Sequence, residues 1–213
     1  EHACSYCWAE DMAKGRLREM NKYAYGFLPR FFEGELMRVF RPGEFVFVVS
    51  MGDLFGDWVP HHWINSILSV ISKYPDTMFL LQTKNPARFL KFDLPPNAYA
   101  GVTIESDVDH QVSKAPSPFL RYRDMLDLPP GTLKFLSIEP IMGFSVDLFT
   151  TQILQIAPDI IEIGADNHNK GLREPRRDEV RELIRRLRYA GLNVKEKDGL
   201  ERITGGDGYE KTN

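Results

Sequence analysis

Short apolar runs alternate along this chain with segments whose apolar positions recur every three or four residues. Phe45-Val46-Phe47-Val48-Val49 is rich in β-branched and aromatic side chains and does not alternate strictly with polar ones. That pattern predicts a strand covered on both faces, and therefore a parallel one. Met78-Phe79-Leu80-Leu81, Ala100-Gly101-Val102-Thr103-Ile104, Phe135-Leu136-Ser137-Ile138 and Ile160-Ile161-Glu162-Ile163 behave in the same way, and Leu192-Asn193-Val194 reads as a last short strand. Between them, Ile64, Ile67, Leu68 and Ile71 share one helical face, as do Val180, Leu183, Ile184 and Leu187. Ser145 is placed to cap a helix carrying Phe149, Ile153 and Ile156, and Gly191 to stop the helix ending near Ala190. The opening segment, Trp8 to about Met20, reads as a helix with Ala9, Met12, Ala13 and Leu17 inward.

Repeated strand–helix units mean parallel strands joined by crossover helices, an α/β fold. Six strands and about six helices are expected, with one further strand before Glu1. Residues 1–200 read as a single domain and 201–213, with Thr204-Gly205-Gly206-Asp207-Gly208, as a frayed tail. Each apolar run closes on polar residues before the next helix: Ser50-Met51-Gly52-Asp53, Thr83-Lys84-Asn85, Glu105-Ser106, Glu139-Pro140, Ala165-Asp166 and Glu196-Lys197. The turns entering the strands use different residues, as in Tyr74-Pro75-Asp76 and Pro129-Pro130-Gly131. In a parallel barrel the C-terminal strand ends converge on one face, where active sites sit, so Asp53, Lys84, Glu105 and Glu139 are expected around one mouth.

Composition adds limits. A chain of 213 residues, 43% hydrophobic and 27% charged, holds one ordinary globular core. Its net charge of -3 argues against a broad electrostatic grip on nucleic acid, though not against a local basic groove. The Arg-rich stretch from Arg173 to Arg188 also carries Glu174, Asp178, Glu179 and Glu182, which reads as an ion-paired helix face. Tyr23, Tyr25, Phe27, Phe31 and Phe32 read as barrel cover rather than base-stacking side chains. No apolar stretch approaches ~20 residues, so no membrane span is expected.

The two cysteines, Cys4 and Cys7, are the only ones present. As C-x-x-C they form no disulfide framework and point to a metal or redox loop in a reducing compartment, hence the cytoplasm. A zinc half-site lacks a second C-x-x-C or a His pair at ligand spacing, since His61 and His62 are adjacent. A thioredoxin-like dithiol is a further reading. The first residue is Glu, so an upstream segment is expected, and a cysteine directly before Glu1 would complete C-x-x-x-C-x-x-C. Three thiolates hold three irons of a [4Fe–4S] cluster and leave the fourth open to a ligand.

Cys4-Ser5-Tyr6-Cys7-Trp8-Ala9-Glu10, Ser50-Met51-Gly52-Asp53-Leu54-Phe55, Leu81-Gln82-Thr83-Lys84-Asn85-Pro86, Gly101-Val102-Thr103-Ile104-Glu105 and Leu136-Ser137-Ile138-Glu139-Pro140 occur in that order. In this series, from about Cys4 to Leu200, the chain resembles the phage-associated radical S-adenosylmethionine (SAM)-like family, named after phage gene products. The resemblance implies a partial TIM-like (β/α)₆ barrel of parallel strands, its first strand lying before Glu1. It implies a [4Fe–4S] cluster with Cys4 and Cys7 as two of three iron ligands, and SAM bound at the open iron. It further implies Tyr6 beside the adenine, Ser50, Gly52 and Asp53 near the methionine amino group, and Glu105 with Thr103 or Ser106 at the ribose. Lys84 and Lys197 are then at the mouth, where they would meet an anionic substrate, and Glu139, with Lys84 a catalytic candidate, lies on the strand that supports the adenine side or else faces substrate. A one-electron donor such as flavodoxin or ferredoxin is the implied partner, and nucleic acid or a nucleotide is one substrate class by analogy. The chain departs from the family pattern at Asp53, where Gly-Gly-Glu is commoner, and at Gly164-Ala165-Asp166-Asn167, where Gly-Gly-Glu-Ser is common. Two other readings stand beside this one: a non-catalytic relative without a cluster, and a metal-free lyase or hydrolase using Glu105 and Glu139 as acid and base.

Overall fold

The computed structural model describes residues 1–205. Six strands, β1 (Phe45–Phe47), β2 (Met78–Thr83), β3 (Ala98–Thr103), β4 (Lys134–Ile138), β5 (Ile160–Ile163) and β6 (Val194–Glu196), pair in that order. Every neighbouring pair is parallel, so the sheet is a curled, all-parallel partial barrel of α/β type, as the alternating pattern predicted. Six α-helices accompany it: α1 (Trp8–Lys14), α2 (His61–Ile71), α3 (Pro118–Leu126), α4 (Val146–Ile156), α5 (Arg177–Tyr189) and α6 (Glu201–Thr204). A 3₁₀ turn, Pro86–Lys91, joins β2 to β3.

Strand residues alternate between two faces. Phe79, Leu81, Ala100, Val102, Leu136, Ile138, Ile161 and Ile163 pack against Ile64, Leu68, Met125, Phe149, Ile153, Val180 and Leu183 of the helices in one buried core. The register places the alternate residues in rows on the inner face: Gln82 opposite Gly101, Thr103 opposite Ser137, Ser137 opposite Glu162 and Glu162 opposite Lys195. The inner face is therefore increasingly polar toward the C-terminal strand ends.

Three local expectations change. β1 is not covered on both faces: Phe45 and Phe47 are 49% and 44% exposed. They lie on the inner side of β1, an end strand of the sheet, where Phe45 meets the Tyr99 ring at 5.7 Å between centroids. The first helix ends at Lys14 rather than near Met20, because Gly15 turns the chain there, and only Ala9 and Ala13 are buried. Residues 201–204, expected in the tail, form α6 and bury Ile203 and Thr204; the rest of the expected tail, 206–213, lies outside the described residues. The stop at Gly191 holds. Its φ of 82° lets its N–H reach the Arg188 carbonyl at 2.9 Å and Leu192 N–H the Leu187 carbonyl at 3.1 Å. The Arg-rich face of α5 is ion-paired, Arg186 with Asp147 and Glu182, and Arg188 with Glu196.

The turn between α2 and β2 is tied to the start of β3 by one buried amide. Asn97 Nδ2 donates to the carbonyls of Tyr74 and Thr77 at 2.9 Å each and to Ile71 at 3.4 Å. Asn97→Ala takes the amide donor from the Thr77 carbonyl, while the Ile71 and Tyr74 carbonyls keep the backbone N–H groups of Tyr74 and Thr77, and is expected to lower stability by roughly 1–3 kcal/mol, read as a lower urea midpoint with an unchanged slope.

Candidate functional site

The mouth is assembled where three strand ends meet the N-terminal loop. After β1 the chain turns through Asp53, whose carboxylate organises its surroundings: Oδ1 accepts from Phe55 N–H at 2.9 Å and Thr83 Oγ1 at 2.7 Å. Oδ2 accepts from Lys84 N–H at 2.9 Å and lies 2.8 Å from His2 Nε2. Burial alone would raise the Asp53 carboxyl, but His2 and the donors from Lys84 and Thr83 hold it below its ordinary value. Asn85 Nδ2 continues the grip with bonds to the Phe55 carbonyl (3.1 Å) and Asp57 (2.9 Å). Buried Arg88 donates to the carbonyls of Gly56 and Val59. The string Thr83-Lys84-Asn85 is thus a receiver for the loop that follows β1.

Glu105, directly after β3, is buried. Its Oε1 accepts from Tyr6 Oη and from Lys84 Nζ, and its Oε2 lies 2.9 Å from an Arg121 guanidinium nitrogen. Lys84 Nζ also donates to Tyr6 Oη at 2.7 Å. Burial on its own would raise the Glu105 carboxyl; the Lys84 and Arg121 charges, with hydrogen bonds from Lys84 and Tyr6, overcome it and hold the group at about 2. Burial and the Glu105 charge push the Tyr6 phenol far up, so it remains a donor. Arg121 is buried, and its Nε is the one buried side-chain polar atom without a partner among the described residues.

The cysteines sit in this setting through Tyr6. Both are free and half-buried. Cys7 caps α1, its Sγ accepting from Glu10 N–H at 3.4 Å. Burial pushes the Cys4 thiol up, with the Lys84 ammonium pulling the other way. Among the described residues no three His, Cys, Asp or Glu side chains gather as a metal site. The donor set still suits an iron–sulfur group: two soft thiols three residues apart, beside a cation that favours the thiolate. Cys4 and Cys7 would be the thiolates that hold such a group.

The structure thus brings together Cys4, Cys7, Tyr6, Asp53, Lys84 and Glu105, and adds two residues that sequence reading passed over. His2 lies two residues before Cys4, and that proximity was its only signal. Arg121 carried none, because an arginine on a short helix reads as a surface charge until its guanidinium is seen to reach the Thr103 carbonyl and Glu105 at the end of β3. Other expected site residues are placed differently. Ser50 and Gly52 are exposed in the turn after β1. Thr103 Oγ1 accepts from Gln82 Nε2 at 2.9 Å, and Ser106 Oγ donates to the Gly143 carbonyl at 2.7 Å, so both serve the scaffold. Glu139 crosses β5 to meet Lys197 of the β6 end at 2.6 Å. It lies over Gly164, where a Cβ would come within 2.7 Å of Glu139 Oε1. Glu139 and Lys197 form a second, more exposed charged pair on the inner side of β4–β6, with Glu162 3.9 Å from Lys197.

Among the described residues, no helix is long and apolar enough to cross a membrane. No curated protein and no solved structure matches the chain. Residues 1–185 match the family described as protein of unknown function (DUF5131). With that span covering most of its length, the chain belongs to this family, DUF5131.

Proposed function

We propose that this protein is a radical SAM enzyme of a reducing, cytoplasmic compartment, with Cys4 and Cys7 as two ligands of a [4Fe–4S] cluster. One observation carries the reading. The phenol between the two cysteines bonds directly to Glu105, at the C-terminal end of a parallel strand, which is where such barrels hold their chemistry. When bound, a reduced cluster with an open iron supplies the electron that splits the sulfonium of SAM into methionine and a 5′-deoxyadenosyl radical. The chain's own residues do the rest. Lys84 and Arg121 keep Glu105 charged in a buried setting, and Tyr6 closes the mouth above it. Glu139 and Lys197, partly exposed on the inner face, are the polar groups offered to substrate. Ferredoxin or flavodoxin chemistry would supply the electron.

The geometry weighs against Glu105 and Glu139 as an acid–base pair. A carboxyl held at about 2 by two cations keeps its charge throughout the neutral range and is a poor proton donor or acceptor there.

The test is anaerobic reconstitution with iron and sulfide of the chain extended upstream, followed by reduction in the presence of SAM. The expected products are methionine and 5′-deoxyadenosine in equal amounts. Iron incorporation without either product, or no incorporation at all, overturns the proposal and favours a cluster-free relative.

A further inference from the structure

Two carboxylates, Asp53 in the loop after β1 and Glu105 just past β3 with β2 between those strands, each hold one side chain of the N-terminal loop, and the two captured side chains flank Cys4 symmetrically. His2, two residues before it, lies 2.8 Å from Asp53 Oδ2, with its ring packed edge-on against Trp58 at 4.7 Å between centroids. Tyr6, two residues after it, bonds to Glu105. Lys84 belongs to both arrangements, its backbone N–H on Asp53 and its ammonium on Tyr6 and Glu105. The loop backbone is held as well: Ser5 N–H donates to the Val112 carbonyl at 2.8 Å and Lys114 N–H to the His2 carbonyl at 2.6 Å.

We infer that His2 and Tyr6 are positioning residues, a pair of latches that seat the cysteine loop on the barrel mouth before any ligand binds, with Asp53 and Glu105 as their anchors. Three features support this. The donors and acceptors are matched within the chain, and both Asp53 oxygens are already engaged by it, so this carboxylate serves the loop first. The anchors are rigid: Asp53 is fixed by β2 residues and Glu105 by Arg121 beneath it. The Tyr6 hydroxyl also hydrogen-bonds the Cys4 thiol, and neither latch needs a bound metal, so both are available in the metal-free chain. A loop ordered in advance avoids the entropy cost of ordering when its thiolates engage a metal group. That last use rests on the radical SAM reading; the latches themselves do not.

The experiment measures alkylation of Cys4 and Cys7 by iodoacetamide in the full, reduced, iron-free chain, separating the two sites by fragment-ion mass spectrometry. Tyr6→Phe removes only the hydroxyl, with its bonds to Glu105 and Lys84, and is expected to raise the Cys4 rate at least tenfold, a factor matching ~1.4 kcal/mol. His2→Ala is expected to raise it comparably, and His2→Gln, whose amide reaches where Nε2 stood, to return it most of the way. Cys7, held by its own cap on α1, is expected to change less than threefold. Asn97→Ala, which weakens the fold far from the loop, is expected to leave Cys4 within about twofold of wild type. An unchanged Cys4 rate in Tyr6→Phe and His2→Ala overturns the inference. So does an equal rise in Asn97→Ala, which would make labelling a report of general unfolding, or a failure of His2→Gln to restore protection. No iron or SAM enters the assay, so a negative cleavage result leaves this outcome standing, and the reverse also holds.

Discussion

Glu105→Ala is expected to lower the stability of the folded chain by about 3–5 kcal/mol, the cost typical of removing one partner from a buried ion pair. For a chain of this size that corresponds to a fall in Tm of roughly 10 °C. The loss is large because three groups are left behind. Arg121 has almost no exposed surface, Lys84 very little, and the Tyr6 phenol loses its acceptor. Glu105→Gln keeps the shape and one acceptor oxygen for Tyr6, and its cost is expected to be smaller. The pH dependence has a definite sign. The folded-state carboxyl lies below the ordinary 4.5, at about 2, so its stabilising contribution is complete above pH ~4.5 and is lost as pH falls toward 2. Urea midpoints for wild type and Glu105→Gln between pH 7 and pH 2.5 should therefore converge as acid is added. A constant gap would mean that the charge of Glu105 contributes nothing.

The second large effect is chemical. Cys4→Ala and Cys7→Ala are each expected to abolish the broad visible absorbance of a reconstituted cluster and to reduce 5′-deoxyadenosine formation to background. Neither should unfold the protein. Cys7 offers only a 3.4 Å sulfur cap to α1, worth less than about 1 kcal/mol, and Cys4 makes no core contact comparable to Ala9 or Ala13. Circular dichroism of both variants should match wild type. Retained deoxyadenosine production in either variant would remove the cysteine loop from the reaction.

Much of this architecture was legible because two periods dominate the chain. The run Ile160 to Ile163 and the face Val180, Leu183, Ile184 and Leu187 appear where the pattern puts them, since burial against one core enforces both. Parallel topology then carries Asp53, Lys84 and Glu105 to one mouth without further information. What the pattern did not hold was the fate of individual polar atoms. Ser106 follows Glu105 directly, yet its hydroxyl turns to the Gly143 carbonyl, a contact between residues 37 apart that no local rule encodes. β1 looked buried because its composition is apolar, whereas exposure depends on what lies beyond the end of the sheet. Arg121 was invisible for a related reason, since its role arises only when the fold carries its guanidinium to the end of β3 and its charge meets Glu105.

The central claim is an iron with a free position at this mouth, and electron paramagnetic resonance of the reconstituted, reduced, upstream-extended protein tests it most directly. Adding SAM is expected to shift the g-values of the reduced cluster signal, because on this reading the ligand would join an iron that carries no thiolate. A cluster signal identical with and without SAM would contradict the account.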